Sequence, residues 1–381
     1  MLNLDIERNL FMNSLNELIR FNNGAVIPNR IVMAPMTSKG ASWDGIVEQD
    51  DFNFFGRRSE TAGLVITGAT SVSKLGEKFS YQMSIYDDRF IPGLTELARL
   101  IKRNGSKVLA QIYHSGANSR VSYEKHGMVV GPSAIDFPHL PYEVTELTDE
   151  GVWEIIHDFG ESTKRVIKAG FDGVEIHGAY SHLLQQFFSS YSNKRNDYWG
   201  GTLQKRMNFA LEVIKLVQEV AKEYAKDDFI IGYRLTQEEI HEHAVGYDIH
   251  DTLQFIDRLA DTHMDYIHVT SADYGKEIKE VINGRTAFIF VPHVFNVQDA
   301  IDGLQYGDMI SMSRQALIEP DFAKKIKEGK EEDVATEITS SEMAKSLAFP
   351  PKMVDWLLDP KGKNLVPKGM DYLKEPVSDR S

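Results

Sequence analysis

Eight short apolar runs recur along the chain, each followed by a longer polar or amphipathic stretch, and this alternation constrains the fold more than any other feature. The runs occupy 30–35, 63–69, 107–112, 172–177, 229–234, 266–270, 287–291 and 308–312. Most are continuously apolar, as parallel strands covered on both faces require. Helical stretches are expected at 91–104 and 149–169, stopping at Gly105 and Gly170. Thr148 stands before Asp149 and Glu150, a suitable N-cap followed by early acids. Parallel β/α alternation allows a closed barrel or a doubly wound sheet, and the count of eight favours the barrel. The expected fold is therefore α/β, a single (β/α)8 TIM barrel with loop insertions, large enough at 381 residues to carry them. The barrel is assigned to 1–345. The Pro-rich remainder, 346–381, is expected as an extension packing on the barrel or on a neighbouring subunit. Two longer interruptions, 115–146 and 189–206, follow strand C-termini, where barrel enzymes place functional loops. The first twenty residues read as charged and helix-like.

Composition narrows the chemistry. The chain has no cysteine, which excludes disulfides, thiolate zinc sites, iron–sulfur clusters and a cysteine nucleophile. That also fits a reducing compartment. No run reaches the roughly 18 apolar residues of a membrane span, and no signal-peptide stretch opens the chain, so a cytoplasmic protein is expected. A net charge of −14 argues against nucleic acid as a partner. Lys324, Lys325, Lys327 and Lys330 alternate with acids and read as a solvated helix face.

The sharpest local signal is Gly170-Phe171-Asp172-Gly173-Val174-Glu175-Ile176-His177. Strand alternation puts Val174 and Ile176 on one face and Glu175 and His177 on the other. The apolar pair suits the helix layer; the polar pair then points into the barrel, with His177 nearest the mouth. Glu175 needs a partner there. His177 is either a structural histidine or part of a site. Arg234, ending the fifth run, can neutralise an anionic ligand or form a salt bridge, for instance to Glu175. Gln111 can hydrogen-bond the edge of a flat heterocycle or simply pack. Arg314, after the eighth run, stands where barrels bind phosphate. His241-Glu242-His243 lacks a third ligand and reads as an exposed loop rather than a metal site, so no metal is expected. No Gly-rich nucleotide fingerprint is present.

Taken together, several motifs resemble the Old Yellow Enzyme flavin oxidoreductases. They are Asn29-Arg30-Ile31-Val32-Met33-Ala34-Pro35-Met36-Thr37, Gly63-Leu64-Val65-Ile66-Thr67-Gly68-Ala69-Thr70, the segment from Gln111 to Gly116, and Gly131-Pro132-Ser133-Ala134-Ile135. The run ending at His177, Ser192-Asn193-Lys194-Arg195-Asn196-Asp197-Tyr198-Trp199-Gly200-Gly201 and Ser313-Arg314 complete the set, in order from about Leu15 to Met343. The resemblance implies noncovalent FMN, with Pro35, Met36 and Thr37 along the flavin and Ala69 and Gln111 at its pyrimidine side. It places Arg234 at the N1/O2 region and Ser313 and Arg314 at the phosphate. It also implies NADH or NADPH as hydride donor, an electrophilic small molecule such as an enone, quinone or nitro compound as acceptor, and a homo-oligomer as one assembly.

Two departures from the family pattern bear on the site. The usual strand-four motif is His, two small residues, His or Asn, Gly, Tyr; here it reads His177-Gly178-Ala179-Tyr180-Ser181-His182. By position His177 and Tyr180 would hold the activating carbonyl, and His182, as an imidazolium, would supply the proton. After the seventh run the usual glycine pair is replaced by Val291-Pro292-His293-Val294, so a backbone donor to phosphate is lost at Pro292 and His293 is the candidate replacement. These departures also motivate the alternative of a barrel that has lost redox function and serves as a binding or scaffold protein.

Overall fold

The computed structural model describes residues 14–135, 140–359 and 366–373. Its centre is a closed parallel barrel of β1 (Ile31–Met33), β2 (Leu64–Ile66), β3 (Lys107–Tyr113), β4 (Gly173–Gly178), β5 (Ile230–Leu235), β6 (Tyr266–Val269), β7 (Ala287–Phe290) and β8 (Met309–Met312). Each strand pairs in parallel with the next, and β8 closes on β1 through Ile310 opposite Ile31 and Met312 opposite Met33. Each observed strand lies within its apolar run or overshoots it by a residue.

Helices α1 (Gln49–Arg57), α2 (Ile91–Lys102), α3 (Asp149–Lys168), α4 (Asn208–Tyr224), α5 (Ile249–Ala260), α6 (Gly275–Ile282), α7 (Val297–Gly303) and α8 (Phe322–Lys327) surround the strands. Their apolar stripes meet outward-facing strand residues such as Val174 and Ile176 in one large core. Thr148 caps α3 by accepting the Gly151 N–H at 3.1 Å. Past the C-termini of α2 and α3, Gly105 and Gly170 adopt φ of +95° and +78°, the left-handed conformation glycine enters without a Cβ penalty.

The barrel interior is filled in layers. Its lower layer gathers Val32, Leu64, Ile66, Leu109, Ile230, Tyr266, Ile289 and Met309. Tyr266 fits because Gly232 faces it; a Cβ there would lie 2.0 Å from the ring. Phe21, Ala25 and Ile27 seal this layer from below. They belong to an antiparallel hairpin pairing Ile19–Arg20 with Val26–Ile27. The helix expected for the first twenty residues is thus corrected from Ile19 onward, and 1–13 lie outside the described residues. Helical periodicity is overridden because the barrel needs an apolar plug at its lower end.

The long interruptions also differ from expectation. Segment 115–146 forms the helix Arg120–His126 and a parallel pairing of Val130–Gly131 with Thr145–Glu146. In segment 189–206, Arg195 binds Asp197 at 2.6 Å and the Trp199 indole donates to Asp149 at 2.5 Å. These segments are spent on internal packing, and among the described residues neither lines the barrel cavity.

Candidate active site

A cavity of about 580 Å³ opens at the C-terminal ends of the barrel strands. Its floor and walls come from Pro35, Met36 and Thr37 after β1, Ala69 after β2, Gln111 on β3, His177, Tyr180 and His182 on and after β4, and Arg234 on β5. His293 follows β7, and Ser313 and Arg314 follow β8. The structure thus brings together in one cavity every site residue singled out from the sequence.

Beneath the floor lies a charge network. Glu175 is fully buried and accepts from Gln111 Nε2 at 2.8 Å, Tyr266 OH at 3.0 Å and His268 Nδ1 at 2.7 Å. Burial alone would raise its pKa; His268, Arg234 and Gln111 outweigh that and hold it below the ordinary value. A salt bridge to Glu175 is one of the two roles the sequence allows Arg234. No hydrogen bond joins them among the described residues, and Arg234 acts through its field. Gln111 donates one Nε2 hydrogen to Glu175, and its amide oxygen and second N–H are what it can offer the cavity. Arg234 keeps a buried Nε with no protein partner, and its Nη2 lies 3.4 Å from the Tyr180 hydroxyl.

The β4 turn is held in an uncommon shape. Tyr180 and Ser181 both have φ of +55°, a conformation costing on the order of 1 kcal/mol or more per non-glycine residue. The Ser181 carbonyl accepts from Asn118 Nδ2 at 2.7 Å and Gln186 Nε2 at 2.6 Å, which holds the turn. The turn sets His177 edge-to-face against His182, with ring centroids 4.6 Å apart, and Tyr113 edge-to-face against His182 at 4.9 Å.

Neither histidine carries charge near neutral pH. Burial first, then Arg234, pushes His177 down to about 3. Burial, His177, Lys78 and His114 push His182 well below its ordinary value. This corrects the imidazolium expected at position 182: a ring this buried, with the Lys78 ammonium and no carboxylate among the groups acting on it, stays neutral. His177 Nδ1 and both ring nitrogens of His182 are buried without a hydrogen-bond partner, and unpaired buried polar atoms of this kind mark a place that a ligand completes.

At the opposite end, Val291-Pro292-His293-Val294 turns tightly, the Val294 N–H donating to the Pro292 carbonyl at 2.9 Å. Pro292 has no N–H and that of Val294 is used locally, which leaves His293 to face a ligand. Arg314 rests on the Phe295 ring at 4.7 Å. Leu317, Met353, Trp356 and Leu357 make the adjoining wall apolar. A flat heterocycle with an anionic tail fits this lining: apolar walls, an amide acceptor, unpaired donors and cations near Arg234 and Arg314.

The sequence matches the profile of the NADH:flavin oxidoreductase / NADH oxidase family over residues 15–333. The chain belongs to that family. It is 35% identical over 346 residues to the Bacillus subtilis (strain 168) protein named "Probable NADH-dependent flavin oxidoreductase YqiG", covering 87% of this chain and 92% of that protein. It is 38% identical over 337 residues to the NADH:acrylate oxidoreductase of Vibrio harveyi, covering 82% of this chain but 33% of that longer protein. In fold it is similar to the Old Yellow Enzyme homologue of Zymomonas mobilis, with a TM-score of 0.74 at 23% identity over 88% of this chain and 99% of that one. Morphinone reductase in complex with tetrahydroNAD gives the same TM-score, 0.74, at 24% identity over 83% and 91% of the two chains. This member of the Old Yellow Enzyme family is an FMN-dependent NAD(P)H oxidoreductase.

Several residues of the cavity and of the charge network beneath it escaped the sequence reading. His268 and Tyr266 sat inside an apolar run and gave no signal until β6 was placed beside Glu175. Lys39, Lys78, Phe79 and Trp356 come from loops and from the tail, whose positions no periodicity reports. No helix among the described residues is long and apolar enough to cross a membrane. In the His241-Glu242-His243 loop, His241 packs at a tilt against Tyr191, ring centroids 4.0 Å apart, and pairs with Glu239 at 3.1 Å.

Proposed function

We propose that the cavity reduces electrophilic alkenes, with quinones and nitro compounds as further acceptors. The observation that carries this reading is the convergence, from the C-terminal ends of all eight strands, of apolar walls, flavin-sized space and unpaired donors on one cavity. When bound, FMN supplies the relay by which hydride from NADH or NADPH reaches the electrophile.

This chain's residues do the rest. Pro35, Met36, Thr37 and Ala69 flank the flavin ring, and Gln111 offers its amide oxygen to the pyrimidine edge. Arg234 would face the ring and balance negative charge there, its guanidinium always charged. Ser313, Arg314 and His293 hold the phosphate. On the substrate side, neutral His177 and the Tyr180 hydroxyl donate hydrogen bonds to the activating carbonyl and stabilise charge as it develops on oxygen. His182 holds a proton at a ring nitrogen for the substrate α-carbon. As a neutral imidazole it donates N–H rather than acting as a strong acid, so its contribution rests on position. The tail helix Pro351–Leu358 closes the apolar side of the cavity, and we assign the tail to this chain's own barrel.

The visible spectrum of the purified protein, before and after FMN addition and desalting, tests the reading. A retained flavin spectrum that bleaches anaerobically with NADH or NADPH, then recovers on adding cyclohexenone, is the expected result. Failure to retain FMN would overturn it and favour a binding barrel.

A further inference from the structure

The cavity gathers positive charge. Lys39, Lys78, Arg234 and Arg314 all line it, and among the described residues no carboxylate does, in a chain of net charge −14. Arg314 stands at the proposed phosphate end, and Arg234 lies above Glu175. That leaves two ammonium groups, Lys39 and Lys78, without a task.

Both are built into the cavity wall. Lys78 follows the buried Glu77, whose carboxylate is already taken by Lys125 at 2.7 Å and by Ser84 at 3.0 Å. Its backbone N–H is fixed by Gln82 at 3.1 Å and Tyr113 OH at 3.2 Å. Among the described residues no acidic side chain forms an ion pair with Lys78, and its ammonium lies near enough to His177 and His182 to depress both. It therefore belongs to the β4 end, away from Arg314. Lys39 sits in the loop after β1 with φ of +56°, and the neighbouring Ser38 is hydrogen-bonded to buried Asp51. Holding a non-glycine residue in that conformation costs free energy, which the Ser38–Asp51 contact offsets.

We propose that Lys39 and Lys78 select a substrate bearing a carboxylate in addition to its activating carbonyl, the carboxylate pairing with these ammonium groups while His177 and Tyr180 hold the carbonyl. This rests on the reading of the cavity as the flavin and substrate site. The overall reaction balances as unsaturated acid plus NAD(P)H plus one proton giving saturated acid plus NAD(P)+. A partly shielded charged hydrogen bond is worth about 1.5–3 kcal/mol, which is on the order of ten- to a hundredfold in binding. Two lysines with no carboxylate partner among the described residues thus give a strong preference for acid over neutral analogue.

The test compares 4-oxopent-2-enoate with its methyl ester, using the FMN-loaded protein. The acid is expected to show a kcat/KM at least roughly tenfold higher, the preference shrinking with added salt. Lys78→Met and Lys39→Met should each remove most of it while leaving the ester rate and the KM for NADH or NADPH within about twofold. Calorimetric titration of the holoenzyme with benzoate and benzamide reads the same preference without turnover, so a failure of alkene reduction is distinguishable from a failure of carboxylate recognition. Equal kcat/KM values for acid and ester in the parent overturn the proposal. So does a raised KM for the nicotinamide nucleotide in the variants, which would assign the lysines to its phosphates.

Discussion

His182 shows how far a residue's surroundings determine its chemistry. Its position suggested a charged acid, but burial and the nearby His177 and Lys78 hold it neutral. Two outcomes follow. His182→Phe should lower enone turnover by roughly a hundredfold while leaving flavin bleaching by NADH or NADPH unchanged; reduction at the parental rate would remove His182 from the mechanism. The enone kcat should also run flat between pH 6 and 8, because neither His177, near 3, nor His182 titrates there. A histidine inflection that vanishes in the His182→Phe variant would contradict the neutral assignment. Asp51 is the converse case. Burial, partly offset by Ser38, raises its pKa to about 7. The folded state then binds the proton more tightly than the unfolded chain, so this carboxyl's contribution to stability falls as pH rises from about 4 to about 7 and is constant above. At 1.36 kcal/mol per pH unit this is on the order of 4 kcal/mol. Asp51→Asn should therefore gain in Tm relative to the parent as pH rises from 5 to 7.5. A difference independent of pH would show that the carboxyl is not protonated in the fold.

At the level of elements, the spacing between neighbours carries the argument. Gly232 on β5 and Tyr266 on β6 form one fitted pair, and Tyr266 hands its hydroxyl to Glu175 on β4. Gly232→Ala should displace that ring and destabilise the protein by about 3 kcal/mol, read as a lower Tm together with weaker FMN retention through loss of the Glu175 contact. A variant with parental Tm would mean the barrel relaxes there at little cost. The β7 turn makes a second prediction. With Pro292 lacking an N–H and that of Val294 donated to Pro292, His293→Ala should weaken FMN binding by about tenfold, or 1.4 kcal/mol, measured by flavin fluorescence on titration. An unchanged Kd would leave the phosphate to Ser313 and Arg314 alone.

Over the whole molecule, two segments outside the β/α repeat complete the barrel from opposite ends. The hairpin at 19–27 fills the lower end with Phe21, Ala25 and Ile27. At the upper end Met353, Trp356 and Leu357 of the helix Pro351–Leu358 line the cavity, and the Lys352 ammonium lies 3.3 Å from the centre of the Tyr81 ring. Truncation after Ser346 should speed FMN release by about tenfold with the barrel still folded by far-UV circular dichroism; an unchanged release rate would reduce the tail to a surface cover. The sequence alone determined the eight strands, because burial on both faces demands continuous apolar runs. It also placed the strand-end residues His177, Arg234 and Gln111, because alternation sets which side chains face inward. The departures at Tyr180, His182 and Pro292 were legible as well, being differences of residue type at matched positions. Only the tertiary structure decided that His268, Tyr266 and Gln111 share the charge of Glu175, that His182 is neutral, and that Lys39, Lys78 and Trp356 reach the cavity while the long insertions do not. Those outcomes depend on which strands lie side by side and how far water is excluded between them, and both are set by closure of the barrel across residues far apart in the chain.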